Sequence, residues 1–406
     1  MHTYFWDVLK NAAELSLFFI GLYYALAGVF SFFRKYERPT GESTEHSFAV
    51  IVPAHNEGAV IAQLLQSVAK CNYSSDLIDV YVAADNCDDN TVFTAKKLGA
   101  SVVVRNDGEP NKSSAIMTAQ KYIKETMRRD YDCFVFLDAD NTVSPSFFYE
   151  INHMLCCGHG VVQGRVECKN PSRSWFTAAE SVWNSIEIRF GRLAPYKLGL
   201  GSKICGTGYA VRSDILDRYP LCTDCLAEDI EYTMRLAVHG IKTAFADNAV
   251  VYDEKPESLR VSMRQRLRWV QGIVDVQGRY GTLLLKKGKL LTWLSLYGDF
   301  LGVFTYGFFC VLSLFSTISI IYDMSFAFCE FWVKPIAYIM LNIYLGIGAF
   351  SAFFGLLSEK KLNRSVIFNL FGLLVYFLTW IPVGIVGIFR HNRKEWYHTK
   401  HTGCSG

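Results

Sequence analysis

Strong charge of one sign is missing from this 406-residue chain: 41 Lys and Arg face 38 Asp and Glu, a formal net charge of +3. A balance so near neutral supplies no polyanion-binding field, which excludes nucleic acid as a partner. Metal-ligand cysteine spacing is also missing. Cys222-Thr223-Asp224-Cys225 is a lone CxxC pair with neither a second pair nor clustered histidines, so it reads as a loop rather than a zinc site. Cys156-Cys157 is expected to serve helix packing. A cleavable leader is not expected at the first apolar run, 15–33. Asp7 and Glu14 precede it, and Arg34-Lys35-Tyr36-Glu37-Arg38 follows where small residues would be needed. No internal repeat is present, and no charge interrupts the runs 15–33, 300–322, 335–357 and 365–389.

Each of those runs lies within the roughly 17–25 residues that a helix needs to cross a bilayer. An apolar content of 51% and an aromatic content of 15% agree with a membrane protein. The expected division is a first membrane helix with its basic flank over 1–40, a globular domain over 41–257 and an amphipathic interfacial region over 258–290. A membrane bundle over 291–389 and a basic tail over 390–406 complete it. Basic residues after the first span predict a multi-pass protein of the cell (plasma) membrane with its globular domain in the cytoplasm, where its cysteines stay reduced. The last run is flanked by bases on both sides, at Lys360-Lys361 and at Arg390, Arg393 and Lys394. A crossing would place the tail outside, against those bases, whereas turning back at Pro382 would keep it in the cytoplasm, the side that the motif around Trp396 favours.

Within the globular part, apolar runs alternate with helical periodicity. Phe48–Pro53, Val80–Ala84, Ala100–Val104 and Phe134–Leu137 read as strands. Val60, Ile61, Leu64, Leu65 and Val68 recur at helical spacing, and 91–98 and 111–127 read as further helices. This alternation predicts an α/β unit with a mainly parallel sheet, whose ligand lies outside the carboxyl ends of the strands. Three of those ends carry acids: Glu57, Asp85, and the pair Asp138 and Asp140. On an extended chain Asp138 and Asp140 share a face, where two hard oxygen ligands suit a divalent cation that also binds a phosphate. The blander reading of Asp138-Ala139-Asp140-Asn141 is a turn, which these residues favour. Acids converging from three strand ends repel one another unless a cation is present, which supports the metal.

Further on, 161–166 reads as a strand, 174–190 as a helix, and Gly206-Thr207-Gly208 as a loop entering a short strand that allows close approach to a ligand. Glu228 and Asp229 open a helix ended by Gly240, a place that also suits the helix dipole without any catalytic role. The stretch 258–276 is amphipathic, with Arg260, Arg264, Arg266 and Arg268 on it, and reads as lying in a membrane interface. Gln265, Arg268 and Trp269 share one face by their i, i+3, i+4 spacing, which plain anchoring does not require.

Taken in order, Val52-Pro53-Ala54-His55-Asn56-Glu57, Ala84-Asp85-Asn86-Cys87-Asp88-Asp89, Asp138-Ala139-Asp140, Ala227-Glu228-Asp229 and Gln265/Arg268/Trp269 resemble the motifs of the processive, membrane-integrated family 2 glycosyltransferases. That group includes the cellulose, hyaluronan, chitin-oligosaccharide and poly-N-acetylglucosamine synthases. The resemblance covers about 48–272. It implies a GT-A fold, a Rossmann-like mixed α/β sheet, with α-helical transmembrane segments beside it. It implies that Pro53, Glu57, Asp85, Lys112 and Asp138 bind a UDP-sugar donor, and that Asp138 and Asp140 hold Mg²⁺ or Mn²⁺ on its diphosphate. Asp229, with Glu228 beside it, is implied as the general base. Gln265, Arg268 and Trp269 are implied to bind the diphosphate and a polysaccharide or glycolipid acceptor. Glu395-Trp396-Tyr397-His398-Thr399-Lys400 resembles a late motif that lies near the active site in some members. Two departures stand out: Ala227 replaces the threonine usual before the two acids, and Ala84 occupies a place where many members have a second Asp.

The expected reaction is inverting sugar transfer, GlcNAc or glucose, to a growing polysaccharide exported through the bundle. One carboxylate acts as base, and no covalent intermediate is needed. A single-sugar transferase to polyprenyl phosphate or diacylglycerol is the alternative. A membrane channel with a regulatory nucleotide-binding domain is disfavoured, because the spans carry no charge and no repeat. An inactive partner subunit is disfavoured by retention of Asp138, Asp140 and Asp229. Sugar, linkage and oligomeric state stay open.

Overall fold

Phe48-Ala49-Val50-Ile51-Val52 has no polar alternation because both its faces are covered. Phe48, Val50 and Val52 enter one core, and Ala49 and Ile51 the other, on the opposite side of the sheet. In this computed structural model the described residues are 44–127, 129–221, 225–296 and 364–391, with the isolated positions 22, 23, 26 and 29. The runs 300–322 and 335–357, the motif at Trp396, and most of 15–33 lie outside them.

The sheet has eight strands. β1 (Phe48–Ala54), β2 (Ile78–Asp85), β3 (Ser101–Arg105) and β4 (Cys133–Phe136) are joined in parallel in the order β3-β2-β1-β4. The sheet continues through β7 (Tyr209–Arg212), β6 (Val161–Cys168), β8 (Ala244–Asp253) and β5 (Thr142–Val143). Here β7 runs antiparallel to both β4 and β6, β8 is parallel to β6, and β5 is antiparallel to β8. The result is a mixed α/β sheet with the parallel half that the sequence predicts. β5 and β8 were not legible. Asp247-Asn248 interrupts the apolar run of β8, where the β6 pairing slips from Ala246 to Val250 around a bulge.

Helices cover both faces. α1 (Ile61–Ala69) turns Ile61, Leu64, Leu65 and Val68 into the first core. α2 is Thr91–Lys97. α3 (Lys112–Tyr122) packs Ala115, Ile116 and Ala119 into the second, and starts where the Asn111 side chain accepts the Ser114 N–H at 2.9 Å. It changes to a wider π-type turn over Ile123–Met127, within the stretch expected to be α-helical. α4 (Phe147–Cys156) ends at the Cys156-Cys157 pair, both half-buried, and the Cys156 thiol donates to the Thr44 carbonyl at 3.3 Å. α5 (Trp175–Ile186) begins with a reciprocal capping box between Ser174 and Thr177 and also gives way to a π-type segment, Glu187–Leu193. α6 is Ser213–Arg218, α7 is Glu228–Val238 and α8 is Leu259–Val276.

The last described helix, α9 (Arg364–Phe389), is 26 residues long and continues through Pro382. Of the two expectations for this segment, a break at Pro382 is not met, since the helix runs through it. Its partners are α5 and α8, through Phe176, Val182, Val270, Tyr376, Phe377, Trp380 and Val383. Among the fully described residues, which in α9 are 372 and 375–389, no helix is long and apolar enough to cross a membrane.

Candidate functional site

The carboxyl ends of β1, β2 and β4 open at one edge of the sheet, and the sequence there turns from apolar to polar in each case. Beyond β1, His55 Nδ1 meets the Asp85 carbonyl oxygen at 2.7 Å, and the Glu57 N–H donates to Thr91 Oγ1 at 2.9 Å. Asn56 and Asn86 both adopt positive φ, which Asn tolerates better than most residues, and so bend the two loops together. Pro53 is half-buried in β1, paired with Ala83. Asp85 is buried and fully engaged. Its carboxylate pairs with Arg105 at 2.6 Å and accepts the Asn111 N–H at 2.7 Å.

The chain leaves β4 at Phe136 and makes a turn, closed by the Asn141 N–H on the Asp138 carbonyl at 3.1 Å. Asp138 and Asp140 therefore do not share a face of an extended strand as the period-two argument predicts. They lie instead on a turn, for which Asp and Asn are suited, and both bond to Asn141. Asn141, wholly buried, organises it. Its Oδ1 accepts the Asp138 N–H at 3.0 Å and the Thr207 hydroxyl, while its Nδ2 donates to Asp253 at 3.0 Å and to Asp140 at 3.2 Å. Asn141 follows the acidic pair directly, and that adjacency was the available signal. Thr207 lies in the glycine-flanked loop expected to approach a ligand, though nothing tied it to Asn141, and Asp253 offered no signal because it ends the unforeseen β8.

Lys112 binds the site together. Its Nζ lies 2.6 Å from Asp138 Oδ1 and 3.9 Å from Glu228 Oε1, and it donates to the Gly206 carbonyl at 2.8 Å. Burial disfavours the ammonium, but Asp138 and Glu228 outweigh that and hold its pKa above the ordinary lysine value. Burial raises the Asp138 carboxyl, and Lys112 opposes the shift. Asp229 stands beside Glu228 on the first turn of α7. Burial first, then the neighbouring Glu228 charge, push its pKa up to about 7, against the pull of Lys112 and Arg268. Gly206, at φ +74°, passes so close that a Cβ there would lie 3.5 Å from Asp229 Oδ2, so this backbone forms one wall of the site.

α8 supplies the far wall. Arg268 is near enough to act on Asp229 electrostatically. Arg268 Nε and Gln265 Oε1 are buried and have no hydrogen-bond partner among the described residues. Such orphaned groups fit a polar ligand that completes them. Trp269 instead packs against the apolar cluster of α5, α8 and α9. The substitution at Ala227 has a local reason in the packing. A Cβ on Gly272 would sit 2.4 Å from the Ala227 Cβ, so α8 crosses the start of α7 at a point with little spare room.

Among the described residues, no group of three or more His, Cys, Asp or Glu side chains could hold a metal by itself. The Asp138/Asp140 turn fits a different arrangement, in which one or two carboxylates share a cation with substrate phosphates.

With this geometry in hand, the profile of the family described as Glycosyltransferase like family 2 matches residues 46–272. The probable glycosyltransferase YdaM of Bacillus subtilis is 24% identical over 95% of this chain and 96% of its own length. The poly-beta-1,6-N-acetyl-D-glucosamine synthase of Staphylococcus epidermidis is 23% identical over 90% of this chain and 88% of that protein. The beta-monoglucosyldiacylglycerol synthase of Trichormus variabilis is 25% identical over 68% of this chain, which spans 61% of that protein. A mannosyltransferase of Pyrobaculum calidifontis, solved with GDP-mannose and Mn²⁺, shares the fold at a TM-score of 0.56 and 15% identity, covering 93% of this chain and 97% of that one.

Proposed function

The chain belongs to the Glycosyltransferase like family 2 and is a glycosyltransferase, and from that premise we propose that it transfers a sugar from a UDP-sugar, with inversion, to a growing polysaccharide. One observation carries the reading. Lys112 draws the Asp138 turn and the Glu228-Asp229 pair to a single point, so a donor-phosphate site and a base lie within one side chain of each other. The acceptor hydroxyl attacks C1 of the sugar, and Asp229 takes its proton. The C1–O bond to the diphosphate breaks with its electron pair, leaving on the far side of the sugar. A base with a pKa of about 7 is well matched to that task. Lys112 and Arg268 meet the charge growing on the diphosphate. Mg²⁺ or Mn²⁺, held by Asp138 and Asp140, would supply further charge neutralisation there.

GlcNAc is favoured as the sugar by the likeness to the staphylococcal synthase, which spans most of both chains. The likeness to a monoglucosyldiacylglycerol synthase supports a second reading, a single glucose transferred to a lipid. A multi-pass setting in the plasma membrane, with the catalytic domain cytoplasmic and the product leaving through the C-terminal helices, is part of the proposal. It is supported by the four uncharged runs and the basic residues at 34–38.

The test is Asp229→Asn in the full chain, purified in detergent with Mg²⁺ or Mn²⁺ and radiolabelled UDP-sugars. Transfer is expected to fall about 10²- to 10⁴-fold, as for loss of a general base, with UDP affinity kept. Near-normal turnover would remove Asp229 from the role. Product length on a gel separates polymer from single transfer.

A further inference from the structure

Among the described residues Arg266 is the largest fully buried side chain, at 0% exposure, and sugar transfer does not use it. It lies in the seam between α5, α8 and α9. Its guanidinium carbon is 4.6 Å from the ring centre of Tyr376, 5.1 Å from that of Trp380 and 6.0 Å from that of Phe176. Its Nη1 donates to Thr379 Oγ1 at 2.9 Å. Three aromatic faces and a hydroxyl, two of the rings and the hydroxyl from α9, thus surround one planar cation, whose Nε and Nη2 are buried without a hydrogen-bond partner among the described residues, so the ring faces are its main contacts.

A buried arginine is a poor choice if the seam needs only adhesion, because an apolar side chain packs there without the cost of desolvating a charge. What a caged guanidinium adds is orientation. It fixes both the rotation of α8 and its register along α9. The rest of the contact repeats that constraint. A Cβ on Gly387 of α9 would lie 2.3 Å from Val270 Cγ1, and Gln271 Nε2 donates to the Arg390 carbonyl at 2.8 Å. On its other side α8 presses Gly272 onto Ala227, immediately before Glu228 and Asp229. Arg268 follows Arg266 by two positions, or roughly 200° around a helix, so locking one toward α9 turns the other toward the catalytic side.

We propose that Arg266 is a positioning residue: its cage on α9 fixes the rotation of α8 and thereby holds Arg268 at the Asp229 site. The C-terminal helix is then part of the active-site framework rather than an anchor alone. This rests on the reading of Arg268 as a diphosphate-binding group, and the experiment separates the two.

The full chain in detergent is compared with Arg266→Met, Arg266→Lys, Thr379→Val, Arg268→Ala and the double variant Arg266→Met/Arg268→Ala. Transfer rate and the affinities for UDP and UMP are measured for each. Arg266→Met is expected to lower kcat roughly tenfold and to weaken UDP but not UMP, reproducing Arg268→Ala. The double variant is expected to be no worse than Arg268→Ala, as for residues acting through one another. Arg266→Lys keeps the charge but not the planar fork and is expected to fall between. Multiplying losses in the double variant, or equal weakening of UDP and UMP by Arg266→Met, would overturn the proposal. Should Arg268→Ala spare the UDP/UMP ratio, the diphosphate reading fails, and the double variant's kcat still decides whether Arg266 acts through Arg268. If Arg266→Met does not fold, Thr379→Val, which deletes one hydroxyl, decides by a few-fold shift of the same kind when combined with Arg268→Ala.

Discussion

The two halves of the sheet do different work. The parallel half, β3-β2-β1-β4, ends in acids at one rim of the sheet: Glu57, Asp85 and the Asp138/Asp140 turn. The mixed half, β7-β6-β8-β5, holds the first half's turn in shape, while the charges that follow β7, Glu228 and Asp229, enter from the first turn of α7. Thr207, just before β7, bonds Asn141 and receives the Asp138 N–H, and Asp253 at the end of β8 holds the Asn141 amide. Asp253 is itself held by Lys255 at 2.8 Å. Parallel strands aim their carboxyl ends one way and so collect reactive groups, whereas the reversed strands return loops to the same rim and support them.

The sharpest way to break this contrast is to remove a carboxylate from the parallel half. Asp140→Ala is expected to lower transfer about a thousandfold, the scale of losing a metal's charge stabilisation. Titration of Mn²⁺ in the presence of UDP should show the metal affinity lost as well, and an unaltered titration would move the metal elsewhere. A support removed from beneath the turn should do less. Asn141→Ala is expected to cost about 10- to 100-fold in metal affinity or activity, in the range of outer-shell partners. Its effect is best read as the metal concentration giving half-maximal UDP release. A loss as large as that of Asp140→Ala would mean that Asn141 itself acts at the metal rather than supporting the turn.

The smallest expected effect is a pH response. With its pKa raised to about 7, Asp229 is protonated and unable to act as base in mild acid, so kcat/KM should rise about tenfold per unit below that value and level off above it. The same shift has a stability consequence of opposite sense. The unfolded chain releases this proton near the ordinary carboxylate value and the folded chain only near 7. Between those values the folded state binds more protons, so Asp229's contribution to stability declines as pH rises through the window. Asp229→Asn should abolish both slopes, measured by initial rates and by denaturant midpoints from pH 5 to 8.

Much of the parallel half could be read in advance. Phe48–Ala54 and Cys133–Phe136 are short apolar runs that end in polar residues, and such runs are strands wherever both faces are covered. The acids of the site were legible for the same reason, since each breaks an apolar pattern at a strand end. The turn at Asp138 was legible only as one of two alternatives, and the structure shows a turn there, closed by the Asn141 N–H on the Asp138 carbonyl. β8 was hidden by Asp247-Asn248, because a bulge places polar residues where alternation predicts apolar ones. Asp247 has a partner there, Arg165 at 2.6 Å, 82 residues away in the chain.

Sequence by itself determined the fold class, the acidic rim and the shared face of Gln265 and Arg268, since these follow from local periodicity and from where polarity replaces hydrophobicity. Only the tertiary structure decided that Lys112 joins two distant acidic pairs, that Asn141, Thr207 and Asp253 brace the turn, and that Arg266 is caged by Tyr376 and Trp380. The reason is physical: period reports which face a residue occupies, but charge pairing and burial depend on which distant segment covers that face.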